Sequence, residues 1–210
     1  MEYRKLILST NNDHKVEEIK KILMEMPIEV LSKNDIGISN FEVIEDGKSL
    51  EENSIKKAKA LADRLEYMVM ADDSGLFVDA LNGAPGVYSS RYAGEEANDE
   101  KNNIKLLEDL KDLPVEDRTA SFFTVIALIT EEKEIFIVEG ECKGYINLEP
   151  KGSNGFGYDP IFIPLGYDKT FAELGHDVKN KISHRAKALQ GIQDLLSNIL
   201  KGEENEISSN

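Results

Sequence analysis

Two adjacent carboxylates, a hydroxyl and a glycine, Asp72, Asp73, Ser74 and Gly75, stand directly behind the apolar run Met68, Val69, Met70. Carboxylates at the carboxyl end of a buried strand occupy the place where open α/β sheets bind ligands. Adjacent side chains on a strand point to opposite faces, so at most one of the pair faces a cleft while the other binds backbone or solvent. Asp, Ser and Gly together also make ordinary turns, and composition alone favours that plainer reading. The continuation is less ordinary. Asn82, Gly83, Ala84, Pro85 and Gly86 form a second tight turn, and Tyr88 to Arg91 brings a cation close behind. Carboxylates, small-residue turns and an arginine together suggest a site for a metal and phosphate.

Other stretches must position the rest of such a site. Leu6 to Leu8 reads as a buried strand that delivers Ser9, Thr10, Asn11 and Asn12 into a loop. Val16, Ile19, Leu23 and Met26 then recur at helical spacing with Pro27 as the stop, so a helix begins near Asp13 or His14. Thr10 to Lys15 is thus a strand-to-helix junction whose free N–H groups, helix dipole and lysine can hold phosphate. Capping by Asn12 or Asp13 is the plainer role and is compatible with it. Ser49 and Glu52 have capping-box spacing ahead of a helix that buries Ile55, Ala58, Ala62 and Leu65. Lys56, Lys57 and Lys59 lie off that stripe, either solvated or aimed at a ligand shared with the Asp73 turn. Gly152 to Pro160 places three glycines around Phe156 and Tyr158, which allows close backbone approach beside an aromatic face. Ser183 caps a last helix with Leu189, Ile192, Leu196 and Ile199 inward. His184 and Arg185 sit in its first turn, where the dipole disfavours cations, and unpaired there they point to an anionic or polar ligand.

The remaining elements read as scaffold. Ile28 to Leu31 is a second strand, and Asp99 to Leu113 is a helix with Ile104, Leu107 and Leu110 inward and its charges on plain surface. Thr119 to Thr130 and Ile135 to Cys142 form a hairpin. With 210 residues and 40% hydrophobic content the chain can bury one full core. Residues 1–201 are expected to form one domain and residues 202–210 a disordered acidic tail. Forty acidic residues against twenty-five basic ones give a net charge of -15, which repels extended nucleic acid but not a small anion met by a divalent metal and converging lysines. Cys142 is the only cysteine, and Leu6 to Leu8 falls far short of a signal or membrane segment. A reducing, cytoplasmic setting without membrane attachment is expected.

Taken in order, STNNDHK, EDGKSLEENSIKKA, ADDSGLFVDALNGAPGVYSSRYAG, GFGYDPIF, KTFAEL and KNKISHRAKAL make the chain resemble the inosine triphosphate pyrophosphatase family over roughly residues 5 to 200. Its members hydrolyse non-standard purine nucleoside triphosphates to the monophosphate and pyrophosphate. The resemblance implies an elongated, two-lobed α/β domain with a central mixed sheet, a nucleotide cleft between the lobes and a homodimer. It implies triphosphate contacts from Thr10, Asn12 and Lys15, within the loop Thr10, Asn11, Asn12, Asp13, His14, Lys15, and from Lys57. It implies magnesium at Glu45 and Asp73, with Asp73 also the proton acceptor and Ser74 on the substrate. Phe156, Gly157, Tyr158, Asp159, Lys179, His184 and Arg185 are implied at the nucleoside and base. One departure is visible: Asn11 stands where the family often has glycine. A pyrophosphatase for pyrimidine or modified nucleotides and a non-catalytic nucleotide sensor are the alternatives.

Overall fold

The structure, a computed structural model, describes residues 3–94 and 98–207. One mixed sheet carries the chain. Strands β1 (Arg4–Leu8), β2 (Ile28–Ser32) and the start of β3 (Met68–Val78) run parallel. The rest of β3 runs antiparallel to β5 (Thr119–Ile129), followed by β6 (Ile135–Ile146) and β7 (Phe162–Pro164). The order is β2-β1-β3-β5-β6-β7, and the short β4 (Pro85–Gly86) pairs with the far half of β3. Parallel neighbours need helix-length connections. Here α1 (Asp13–Leu23) and α2 (Leu50–Ala62) supply them, and α3 (Asp99–Asp109), α4 (Phe171–Leu174), α5 (His176–Ile182) and α6 (His184–Ile207) come later in the chain.

Strand alternation then decides what each face buries. Leu6, Leu8, Met68, Met70, Ile126 and Leu128 meet Ile19 and Leu23 of α1 and Leu189, Ile192 and Leu196 of α6 (His184–Ile207). On the opposite face Ile7, Val69, Ala71, Ala127 and Ile129 meet Ala58, Leu61 and Ala62 of α2. Further along the long strands, Leu76, Val78, Phe122 and Ile146 join Leu106 and Leu110, Phe162 and Phe171 in another core. The cores lie towards opposite ends of β3 and β5 and form the two lobes of a single α/β domain. Between them β3 carries Asp72, Asp73 and Ser74.

Three expectations change. The apolar run ends at Met70, but β3 continues to Val78 because β5 pairs with it from Val69↔Ile129 to Val78↔Ala120. What ends there is β1, whose last pair is Leu8↔Met70, with Ser9 N donating to Met70 O at 2.8 Å. The two carboxylates therefore lie past the carboxyl end of the parallel neighbour, within an antiparallel pair. Helix α3 spans only Asp99–Asp109, and it turns Asn102, Asn103 and Leu106 inward while Ile104 is 59% exposed. The asparagines are held there by hydrogen bonds: Asn102 accepts from Ala93 N and donates to Ser90 O, and Asn103 donates to Gly157 O. Finally, the backbone of α6 continues to Ile207, through the stretch expected to begin the tail at 202, and 208–210 lie outside the described residues.

Candidate functional site

A cleft of about 560 Å³ opens where the lobes meet. Its walls gather Thr10, Asn11, Asn12, Lys15, Glu45, Lys57, Asp73, Ser74, Phe156, Gly157, Tyr158, Asp159, Lys179, His184 and Arg185. Asp13 and His14 stay outside the lining, because the first turn of α1 turns both to solvent; His14 stacks on Phe156 instead, 5.3 Å between centroids. Asn12 caps that helix by accepting from Lys15 N at 3.2 Å. Asn11 is not among the positive-φ residues, which outside glycine are Asn82 and Lys133 among the described residues, so this loop has no left-handed position for a glycine to fill.

The pleat separates the two carboxylates. Asp73 follows Val69 and Ala71 and so faces α2, where Lys57 Nζ lies 3.3 Å from its Oδ1 and Asn53 Nδ2 donates to its Oδ2 at 3.0 Å. Lys57 also reaches Glu45 Oε2 at 3.0 Å. Asn53 accepts from Gly47 N at 2.8 Å, which ties the Glu45 segment to Asp73. Burial raises the Asp73 carboxyl above the usual carboxylate range, with Lys57 and Lys15 only partly offsetting it. For Lys57 burial acts downward, but Asp73 and Glu45 outweigh it and the ammonium is held above its ordinary value.

Asp72 follows Met70 and faces α1 and α6 instead. It is 2% exposed and binds neither backbone nor solvent, contrary to expectation: Lys15 Nζ lies 2.9 Å away, and Arg185 donates through Nη2 at 3.0 Å and Nε at 3.2 Å. Burial would raise this carboxyl, yet Lys15 and Arg185 outweigh it and hold it well below the usual range. Arg185 also donates to Glu18 Oε2 at 2.6 Å and to Ser74 Oγ at 3.2 Å. It is therefore not the unpaired cation that its place at a helix start suggests.

The aromatic end is built on the loop before β7. Lys179 Nζ bonds Asp159 Oδ2 at 2.6 Å, reaches Glu18 Oε1 at 3.0 Å and lies 4.4 Å from the Phe156 ring centroid. Asp159 also accepts from Phe156 N at 2.9 Å, and a Cβ on Gly155 would overlap that carboxylate. His184 stacks on Phe122, 4.7 Å between centroids. Burial, then Arg185 and Lys179, push its imidazole well below its ordinary pKa, so it is neutral at pH 7. Gly140 on β6 lets α6 come this close, because a Cβ there would overlap the His184 carbonyl.

Sequence reasoning missed Glu18, Asn53, Asp99 and Lys33. Glu18 stands one turn after Lys15 and Asn53 one turn before Lys57, so helical spacing puts each on the same side of its helix as that lysine, but their partners, Lys179 and Arg185 for Glu18 and Asp73 for Asn53, come from other elements. Asp99, read as plain surface, accepts from Gly157 N at 2.6 Å and lines the cleft.

A sequence model of the Ham1 family matches residues 6–195. A dITP/XTP pyrophosphatase of Clostridium perfringens is 51% identical over 204 residues, covering 94% of this chain and all of that protein. One from Bacillus subtilis is 49% identical over 193 residues, covering 92% and 97% respectively. The Ham1 protein of Staphylococcus aureus superposes with a TM-score of 0.82 at 41% identity, over 93% of this chain and 99% of that one. Motif order, mixed sheet and near-complete coverage agree, and the chain belongs to the Ham1 family.

Proposed function

We propose that the protein hydrolyses non-standard purine nucleoside triphosphates, those of inosine, deoxyinosine and xanthosine, to the monophosphate and pyrophosphate. The observation that carries this reading is the divergence of the adjacent carboxylates. One is spent on holding cations; the other faces the cleft with a raised pKa, beside a lysine and a second carboxylate. The relatives' names point to the same chemistry.

In this reading Lys15, Lys57 and the amino end of α1 bind the triphosphate and stabilise charge spreading onto the leaving pyrophosphate. Asp73 orients a water and takes its proton as the oxygen attacks phosphorus. Lys57 keeps that carboxylate in place, and Asn53 fixes its other oxygen. Direct attack by water suits the side chains. Ser74 spends its one hydroxyl proton on Thr124 Oγ1 at 2.8 Å, with Asp72 Oδ2 the longer alternative acceptor at 3.2 Å, and Cys142 is buried with its thiol pushed up to about 11. Neither is activated as a nucleophile.

The donor set fits magnesium. Glu45 and Asp73 already converge on one ammonium, and among the described residues no group of three or more potential ligands gathers. Two carboxylates completed by phosphate oxygens and water are what magnesium takes beside nucleotides. When bound, it would neutralise phosphate charge and acidify water.

The base is read beside Phe156 by the residues around Lys179, His184 and Arg185. Hypoxanthine and xanthine present a 6-oxo acceptor where adenine presents a donor, and a site built for one rejects the other by up to ~10⁴–10⁵-fold. Guanine keeps the 6-oxo group, and its 2-amino group must find a partner or clash. We further propose a homodimer working in the cytoplasm on small nucleotides, without nucleic acid or membrane partners. No helix among the described residues is long and apolar enough to cross a membrane. Pyrophosphate release with magnesium, measured across inosine, deoxyinosine, xanthosine, guanosine, adenosine and pyrimidine triphosphates, tests the reading. Efficient turnover of the first three, weak turnover of the guanosine substrate and almost none of the adenosine one is expected. A preference for adenosine or pyrimidine substrates would overturn it.

A further inference from the structure

Lys33 directly follows β2 and is only 4% exposed, yet it lines the cleft. Its Nζ donates to Phe41 O at 2.6 Å, its one hydrogen-bond acceptor among the described residues. An ammonium carries three donors. The other deeply buried cations of the cleft each touch a carboxylate: Lys15 touches Asp72, Lys57 touches Asp73 and Glu45, Lys179 touches Asp159, and Arg185 touches Asp72. Among the described residues Lys33 forms no such pair, and Glu42 and Glu45 act on it only at longer range.

A buried ammonium without a counter-ion is costly, and the cost is removed when a ligand brings the anion. The position says which part of a ligand. Lys33 Nζ bonds the carbonyl of Phe41, whose side chain packs with Ala58, Leu61 and Ala71 on the α2 face, and Lys33 lines the cleft with Glu42, Glu45 and Lys57, on the face of β3 that Asp73 shares with α2. Phe156, Lys179 and Arg185 gather on the other side. Asp73 lies between these ends, so the lysine stands away from the base. Burial also lowers its pKa, as expected of an ammonium poor in partners.

We propose that Lys33 is a further phosphate-binding residue of this cleft and that it holds the pyrophosphate part of the bound triphosphate. The assignment rests on the nucleotide reading above and adds a residue to it. It makes Lys33 a grip on the leaving group, coupled through the Phe41 carbonyl to the loop between β2 and α2.

The test is calorimetric binding of inorganic pyrophosphate and of inosine monophosphate, with magnesium, to wild type, Lys33→Met and Lys33→Arg. One charge-assisted hydrogen bond corresponds to about a ten- to hundredfold change in affinity. Lys33→Met should bind pyrophosphate that much more weakly, Lys33→Arg should keep most of the affinity, and monophosphate binding should not change. In the wild-type protein, pyrophosphate but not the monophosphate should protect Lys33 from amine-specific labelling, a readout that needs no variant to fold. Unchanged pyrophosphate affinity in Lys33→Met, or labelling of Lys33 that pyrophosphate does not slow, would overturn the assignment alone. A wild-type protein that binds no pyrophosphate would overturn it together with the proposed function.

Discussion

Asp72→Asn and Asp73→Asn should do opposite things, although the residues are neighbours. Asp72 is 2% exposed, and its Oδ2 faces Lys15 Nζ at 2.9 Å and Arg185 Nη2 at 3.0 Å. Removing one partner of a buried pair typically costs about 3–5 kcal/mol, because the remaining charge is left uncompensated. Arg185 keeps Glu18 and Ser74, which places Asp72→Asn near the low end, about 3 kcal/mol. For a domain of this size each kcal/mol moves Tm by about 2–4 °C, so a fall of about 6–12 °C is expected. Asp73 is different: burial already raises its carboxyl, so neutralising it removes a charge that the fold tolerates rather than needs. Asp73→Asn should stay within about 1 kcal/mol of wild type while turnover falls at least ~10²–10⁴-fold, the usual worth of general-base help. Thermal unfolding alongside steady-state kinetics on inosine triphosphate separates the two. If Asp72→Asn unfolded within about 2 °C of wild type, or Asp73→Asn unfolded far below it, the assignment of structural and chemical roles would be reversed.

Lys15→Ala and Lys57→Ala should each depress triphosphate turnover strongly and, being partners of buried carboxylates, lower Tm by several degrees; unchanged kinetics would make them purely structural. Gly140→Ala pushes a methyl into the His184 carbonyl, and overpacking of this kind costs about 1–3 kcal/mol, so urea unfolding should show that loss together with weaker nucleotide binding. His184 gives a pH dependence. Its folded pKa lies well below the ordinary value of about 6.5, so below that pH the unfolded chain binds more protons than the folded one. Stability from this group is full above about pH 6.5 and declines as pH falls below it. Urea midpoints between pH 8 and 5 should therefore drop less steeply in His184→Asn than in wild type, and parallel curves would reject the buried neutral imidazole.

Much of the frame is visible in periodicity. The apolar spacing of α1, α2 and α6 and the caps Asn12, Ser49 and Ser183 follow from local rules, and the structure keeps them. The length of β3 does not, because Asp72 to Gly75 gain their strand conformation from pairing with β5, some fifty residues away. Lys57 reads as surface by hydropathy, yet it is 8% exposed because Glu45 and Asp73 compensate it. Arg185 reads as unpaired because its partners, Asp72 and Glu18, are 113 and 167 residues away in sequence. Ion pairs between distant elements leave no periodic trace, and this site is made of them.

In the proposed mechanism, water guided by Asp73 splits the triphosphate into monophosphate and pyrophosphate. A single-turnover experiment with magnesium and inosine triphosphate, run on wild type and Asp73→Asn with both products and orthophosphate quantified, tests it most directly. Wild type should yield equal amounts of inosine monophosphate and pyrophosphate with no orthophosphate, and the variant should bind the substrate without cleaving it. Orthophosphate as a primary product, or cleavage by Asp73→Asn at nearly the wild-type rate, would contradict it.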